Sequence, residues 1–399
     1  MSEDPEARAG GTARVRVVLV CMVDSIHSAR WIEQFRDQRV DFVLFPSTPN
    51  RRVHARIRAL IGSKAGGATV RIAPFRGLLS IPLWGADLLL GDRLRGALLL
   101  RIVRRFRPDY VHALELNHGG YVAGRAYIGR TSELPPLIAT NWGSDIYWFR
   151  RYPRHERRIR SLLREARFYS AECSRDIALA IAYGFTGNAF DVSPNAGGFS
   201  SEQLARPLSK PSTRKAVAIK GYEGWVGRAS IALQAVERTA SSLAGYTIVV
   251  YSANAKTRRI ATAVAARTGL DITVHRKKAL SHQQMMELFA NSRAYLGVSL
   301  SDGISTSLLE AMVSGCFPIQ TGTSCADEWV VDGRTGMIVD VDDVPGIAEA
   351  LRRALGDDQL VDRAAEINHG VAIARLDEGA IRRKSFRFYG LSSSDINSA

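Results

Sequence analysis

The sequence predicts an α/β protein built from two doubly wound, Rossmann-like domains facing a central cleft. Short apolar runs alternate with amphipathic stretches along the chain. That rhythm breaks once, in a proline- and glycine-rich stretch near the middle. A length of 399 residues also exceeds what one ordinary hydrophobic core accommodates, so two domains are expected.

In the first half the apolar runs at 15–21, 40–45, 110–114, 137–140, 169–171 and 189–192 read as strands. The stretches 28–38, 93–106 and 174–183 carry helical spacing. Runs bounded by turn residues and separated by helices are the pattern of βαβ units and a parallel sheet. In the second half strands are expected at 216–219, 246–251, 272–274, 294–298 and 317–320. Helices are expected at 228–243, 256–267, 281–291, 306–314 and 344–355. Between the halves, 193–211 holds Pro194, Gly197, Gly198, Pro207 and Pro211 without periodicity, which is the composition of a hinge. The expected organisation is a disordered tail at 1–13, an N-terminal domain at 14–200 and a linker at 201–214. A C-terminal domain follows at 215–375, and a last segment, 376–399, returns to the N-terminal domain.

Composition narrows the class. Hydrophobic residues make up 46% and charged residues 23%, as in a soluble globular protein. The cysteines (Cys21, Cys173, Cys316, Cys325) are scattered, without a C-x-x-C pair, so a disulfide framework or zinc knuckle is not expected and a reducing cytosol fits. The beginning shows no signal-peptide pattern. The longest apolar stretch, 78–90, is interrupted by Pro82, Gly85 and Asp87 and falls short of the roughly 20 residues a spanning helix needs. A net charge of +15 favours an anionic partner: lipid headgroups, a lipid-linked diphosphate, an acidic glycan or nucleic acid. Charge does not choose among them.

The segment 299–315, SLSDGISTSLLEAMVSG, carries the chemistry. An apolar run leads into Ser-Asp-Gly, a turn of small residues, and a helix from about Thr306 to Gly315. The amides of Ser305, Thr306 and Ser307 at that helix start would lack intrahelical partners, which makes an anion site. Thr306 and Glu310, four apart, share a helix face. Phosphate on the amides and a vicinal diol on Glu310 together describe a nucleotide sugar.

This segment resembles the C-terminal signature of the retaining GT-B glycosyltransferases of family 4, the group 1 type: an acid, seven residues, then Glu-Ala-Met-x-x-Gly. Here it stands as Asp302, Glu310, Ala311, Met312 and Gly315. The first acid is usually Glu in that family and is Asp in this chain. The resemblance implies that Glu310 accepts hydrogen bonds from the ribose hydroxyls. It also implies that Asp302 and the amides of Gly303, Ile304, Ser305, Thr306 and Ser307 face the donor sugar and diphosphate.

Other motifs fill in the site. Lys220 opens a loop with Gly221, Gly224 and Gly227, closed by Arg228 at a helix start; the two cations are candidates to clamp a diphosphate. The family usually places an Arg after this strand and a Lys five residues later; here the order is reversed and the spacing is eight. The first loop of the N-terminal domain offers His27 and Arg30 beside Trp31, resembling a His-x-x-Arg-Trp variant of the family. His27 is a candidate for acceptor or donor phosphate, or for a helix cap. The segment Thr140-Asn141-Trp142-Gly143-Ser144-Asp145 resembles the family's His-Gly-Ser-Asp segment, with Trp142 in the histidine's place. Asn141, Trp142 and Asp145 are therefore acceptor-side candidates, and Asp145 is one to orient the acceptor hydroxyl or to shape a turn. His112 and His118 are weaker candidates on the cleft side.

Asp340, Asp342 and Asp343 superficially match an Asp-x-Asp metal motif, but the helix that follows, with Pro345 in its first turn, assigns these acids to capping. No metal and no cofactor beyond the nucleotide-sugar co-substrate are expected, because helix amides and Lys or Arg neutralise a leaving diphosphate. Leu94, Leu98, Ile102 and Phe106 form a stripe beside Arg101, Arg104, Arg105 and Arg107, the pattern of a helix that rests on anionic lipid. Six arginines crowd 150–160 with Trp148, Phe149 and Tyr152 among them, as solvated charge, an approach to the acceptor, or sugar-stacking rings.

The sequence therefore describes a cytoplasmic glycosyltransferase, peripheral to the inner face of the plasma membrane, with polysaccharide biosynthesis as a setting. It is expected to move a sugar from a nucleoside diphosphate sugar to an acceptor hydroxyl on a glycan, lipid-linked or small-molecule acceptor, with retention as the family resemblance implies. The alternatives are a nucleotide-sugar epimerase or hydrolase on the same fold, or a non-catalytic protein that binds glycan or polyanion; nucleic acid is not the expected partner.

Overall fold

The computed structural model describes residues 14–49, 52–62, 67–73, 80–195 and 197–391. The tail expected at 1–13 lies outside them, as do Leu78 and Leu79 of the apolar stretch and 392–399. The chain forms two compact units, Met1–Gly198 with Glu378–Ala399, and Phe199–Asp377.

In the first unit, strands β1 (Val15–Cys21), β2 (Val40–Pro46), β3 (Thr69–Ile72), β4 (Tyr110–Ala113), β5 (Leu137–Thr140), β6 (Phe168–Ser170) and β7 (Asn188–Ala189) pair in parallel. Their order is β3-β2-β1-β4-β5-β6-β7, so the topology reverses between β1 and β4. β1 is central because Val17, Val18, Leu19, Val20 and Cys21 are all fully buried. Each buried aliphatic there contributes about 1.5–3 kcal/mol over exposure. The helices are α1 (Ile26–Glu33), α2 (Ala55–Leu60), α3 (Ser80–Leu89), α4 (Arg93–Phe106), α5 (Tyr121–Tyr127), α6 (Pro153–Glu165) and α7 (Ser174–Ala182).

Two expectations for this unit are corrected. The stripe of α4 meant for lipid faces the protein: Leu98, Ile102 and Phe106 pack on the core that holds Leu99 and Val103. Outward stand Ala97, half-buried Leu100 and Arg101, Arg104 and Arg105, around a shallow open depression. The arginine run at 150–160 is largely α6, and several of its cations have partners within the unit. Arg158 lies 3.9 Å over the Tyr121 ring and pairs with Asp92, while Arg160 binds Glu156 at 3.0 Å and covers Tyr183 at 4.3 Å.

In the second unit, α8 (Ser201–Leu204) precedes β8 (Ala216–Lys220), α9 (Ala229–Arg238), β9 (Thr247–Ala253), α10 (Ala255–Thr268), β10 (Asp271–Arg276) and α11 (His282–Asn291). β11 (Ser292–Gly297), α12 (Thr306–Val313), β12 (Phe317–Thr321), β13 (Met337–Val339), α13 (Val344–Gly356) and α14 (Asp358–Leu376) complete it. The parallel sheet runs β10-β9-β8-β11-β12-β13, with its reversal between β8 and β11. The stretch 201–214, expected as a linker, is built into this unit. Arg214 is 5% exposed and donates to the carbonyls of Phe289, Ser292 and Ser314, while Ser212 bonds Asp362. Asp343 caps α13 through Gly346 N at 2.9 Å, with a proline at the helix start.

The last helix, α15 (Glu378–Arg387), belongs to the first unit, where Phe386, Phe388 and Tyr389 complete a core around Trp31, Phe35 and Phe42. His112 is caught in that core. It is fully buried, with Nδ1 2.8 Å from Tyr389 Oη and Nε2 2.7 Å from Thr140 Oγ1, and burial pushes its pKa down to about 3. It is a neutral core histidine, not a group lining a ligand site.

Candidate functional site

In an open parallel sheet, ligands lodge at the carboxyl ends of the strands where the topology reverses. In the second unit that place lies between the end of β8 and the loop after β11. Lys220 ends β8, and the loop carries Asp302 and Ser305 into α12. The structure brings these three together. Lys220 Nζ donates to Ser305 Oγ at 3.2 Å and stands 3.6 Å from Asp302 Oδ2. Burial alone would lower the Lys220 pKa, but the Asp302 charge, with help from Tyr295 and Glu310, outweighs it and raises it. The ammonium is therefore charged throughout the working range.

Ser305 sits in the N-cap position of α12, where a serine side chain ordinarily accepts from the first-turn amides. Here it makes no cap bond; its Oγ faces Lys220 and lies 3.4 Å from Tyr295 Oη. Among the described residues the amides of Thr306 and Ser307 have no hydrogen-bond acceptor. Two open amides, a helix dipole and an ammonium thus converge on one spot. Glu310, 8% exposed, lies one turn along the same helix.

Two parts of the expected donor set do something else. The Gly303 amide donates to Asp302 Oδ1 at 3.0 Å, and Ile304 is 5% exposed, an anchor that fixes the turn. Arg228 folds back on its own loop, its Nη1 donating to the carbonyls of Gly224 at 2.7 Å and Gly227 at 2.9 Å. The start of α9 is also occupied: Glu223 accepts from Ser230 N at 2.9 Å and pairs with Lys256 at 2.8 Å. Gly227 bridges to Ser299, and a Cβ there would collide with the Tyr222 carbonyl. Gly221 and Gly227 therefore serve the loop's own tight packing, and Lys220 is the cation delivered to α12.

Sequence reasoning missed the supports. Tyr295 Oη donates to Gln320 Oε1 at 2.9 Å, and Gly297 is required beneath that bond because a Cβ would strike both groups. Thr321 and Thr323 donate to the Ser299 carbonyl and hold the loop to β12. His282, the first residue of α11, places Nδ1 3.5 Å from Glu310 Oε1. Only the capping box of Ser281 and Gln284, which fixes where α11 begins, signals that position in the sequence.

In the first unit the reversal falls between β1 and β4. After β1, Ser25 caps α1 by accepting from His27 N at 3.1 Å, so His27 is not the cap. Its exposed ring lies 5.5 Å from the Trp142 ring, centroid to centroid. Arg30 follows, half-buried in the last turn of α1. Asn141 is fully buried; it donates to Asp176 at 2.9 Å and accepts from Ile146 N at 3.0 Å, which makes it a brace for the loop instead of an acceptor contact. Asp145 accepts from Leu116 N at 2.8 Å, Asn117 Nδ2 at 2.9 Å and Trp142 N at 3.2 Å. It ties the loops after β4 and β5 together, with about one of four lone pairs left over. His118 stands exposed on the turn 116–120.

Burial pushes the Asp145 carboxyl up to about 7 against those donors, and that of neighbouring Glu115, which accepts from Gly119 N, up to about 8. Both pKa values lie above those of the unfolded chain, so from about pH 4 to about pH 8 these two carboxyls hold more protons in the folded state and their contribution to stability falls as pH rises. Buried neutral His112 opposes the trend below about pH 6.5. Melting temperature should be higher near pH 5 than near pH 8.5, roughly spanning that window, and Glu115→Gln should flatten the decline. Melting curves with the same slope in wild type and variant would remove Glu115 from this account.

Two family models match the chain: "Glycosyl transferases group 1" over residues 219–357 and "Glycosyl transferase 4-like" over residues 93–173. No curated protein sequence matches it. Among solved structures, it is similar in fold to HepE of Anabaena in complex with UDP-glucose, at 14% identity and TM-score 0.67, over 94% of this chain and 99% of that one. Sucrose-phosphate synthase of Thermosynechococcus elongatus aligns at 13% identity and TM-score 0.68, over 94% and 98%. A glycosyltransferase of Rickettsia africae aligns at 11% identity and TM-score 0.67, over 97% and 100%.

Proposed function

The chain belongs to the group 1 glycosyltransferases of the GT-B fold, which transfer sugar from a nucleotide sugar, and from that premise we propose how its residues divide the work. The second unit holds the donor. The diphosphate lies on the open amides of Thr306 and Ser307 and against Lys220, and the ribose lies on Glu310. Asp302 holds Lys220 in place and presents its remaining lone pairs to the sugar. The first unit supplies the acceptor side through His27, Trp142 and Arg30, on loops braced by Asn141 and Asp145.

Transfer breaks the bond between the anomeric carbon and the β-phosphate oxygen and forms one to the acceptor oxygen. The acceptor attacks the oxocarbenium-like carbon on the face from which the nucleoside diphosphate departs, and its proton passes to that leaving group, so the anomeric configuration is retained without a nucleophilic carboxylate. Lys220 and the helix amides neutralise the leaving group in place of a metal. These are positioning and electrostatic contributions, realised as charge develops on the diphosphate.

The observation that carries this reading is the uncapped start of α12, with Ser305 turned to Lys220 at the point where the sheet reverses. A thermal-shift titration with UDP, GDP and ADP and their sugars tests it. One nucleotide at about 100 times its dissociation constant should stabilise the protein by about 2.7 kcal/mol. No shift with any of them would sink the reading. Release of nucleoside diphosphate and free sugar from the sugar nucleotide with no acceptor present would favour the hydrolase alternative.

A further inference from the structure

We propose that His282 is a specificity-determining residue of the donor site: it holds the Glu310 carboxylate and reads the ribose edge beside it. The inference rests on the placement of ribose at Glu310. The start of α11 fixes the histidine, because Ser281 Oγ accepts from Gln284 N at 3.2 Å while Gln284 Oε1 accepts from Ser281 N at 2.8 Å. From there the ring reaches Glu310, with Nδ1 3.5 Å from Oε1. The partners are unequally covered: the Glu310 side chain is 10% exposed and that of His282 is 44% exposed. The histidine thus stands at the mouth of a carboxylate that is otherwise enclosed.

In the neutral ring the nitrogen that faces the carboxylate carries the proton, which makes the other nitrogen, Nε2, an acceptor. A diol presented to Glu310 then meets two acceptors. The carboxylate takes one hydroxyl, and Nε2 takes the other or shares it. His282 also limits the rotamers of Glu310 when the site is empty. A carboxylate alone favours any hydroxylated edge; the pair favours a vicinal diol at the spacing of ribose. Discrimination between ribose and deoxyribose follows from leaving Nε2 without its donor.

The test is calorimetric binding of UDP, GDP and ADP and of their 2′-deoxy and 3′-deoxy forms to wild type, His282→Ala and His282→Gln. Wild type should prefer the ribonucleotide. In His282→Ala the affinity for the ribonucleotide should fall about three- to tenfold, the range of one lost hydrogen bond. Affinity for one of the two deoxy forms should hardly change, so its ratio to the ribonucleotide moves toward one. His282→Gln, which retains a donor and an acceptor, should recover part of the preference. The exposed position predicts an unchanged melting temperature for both variants. A ratio that stays the same in His282→Ala, with nucleotide still bound, overturns this inference alone. Wild type that binds no nucleoside diphosphate overturns the donor-site reading, and this inference with it.

Discussion

Glu310→Ala is expected to lower kcat/KM for the sugar nucleotide by about 10²- to 10⁴-fold. Two hydrogen bonds from ribose to a carboxylate are worth about 1.5–3 kcal/mol each, and each 1.4 kcal/mol is about tenfold. Most of the loss should appear in KM for the donor, because ribose is remote from the bond that breaks and binds alike in ground and transition states. The effect on folding should be small. Glu310 is largely buried, and the contact to it from His282 at 3.5 Å comes from a half-exposed ring on the surface of the unit. Removing it exchanges a desolvated charge for a small apolar group, which costs α12 little. Glu310→Gln should fall between, since the amide keeps one acceptor and adds a donor where none is wanted. Steady-state kinetics with varied donor at saturating acceptor, beside a melting curve for each variant, decide the matter. An unchanged kcat/KM in a folded Glu310→Ala would take ribose away from this residue.

What was legible in the sequence followed from locality. β1 and α4 have the expected boundaries because an unbroken apolar run and a clean helical period leave one solution. β3 and β13 passed unnoticed: both are short edge strands, and Arg71 in the middle of β3 breaks the apolar run. α6 was read as a charge run because its arginines hide the core-facing set Ile159, Leu162 and Leu163. In the site the same rule holds. Asp302, Ser305 and Glu310 share one strand-to-helix segment, so the whole segment, with its resemblance to the family signature, is readable without knowledge of the fold. Lys220 was found because it too ends a strand before a glycine-rich turn. Tyr295, Gln320 and His282 became visible only when the order β8-β11-β12 and the placement of α11 set them beside α12. His112 shows the opposite error: a histidine at a strand end looked functional until Tyr389, 277 residues away, closed a core over it.

Lys220→Met should lower kcat by about 10²- to 10³-fold, the range that follows removal of one preorganised group from a developing anion. Methionine nearly matches the lysine stem, so packing at the end of β8 survives while the charge disappears. The loss should fall on kcat more than on KM, because negative charge on the diphosphate grows as the sugar departs, and the ammonium acts where that charge is greatest. Lys220 has a second partner, though, and a structural explanation must be separated from a catalytic one. Its ammonium lies 3.6 Å from Asp302 Oδ2, and the variant removes that cation from beside the carboxylate. Asp302→Asn alongside Lys220→Met removes the carboxylate charge as well. If Lys220 only balances Asp302, the double variant should regain most of the activity that Lys220→Met lost. If Lys220 acts on the diphosphate, the double variant should stay as slow as Lys220→Met or slower, since the ammonium is still absent from the leaving group. Asp302 is partly exposed, with 27% of its side chain open, so its charge costs the fold little in the single variant and both proteins should purify folded. Pre-steady-state transfer with bound donor reads the chemical step directly. Full recovery in the double variant would reduce Lys220 to a counterion and leave the diphosphate to the open amides of Thr306 and Ser307.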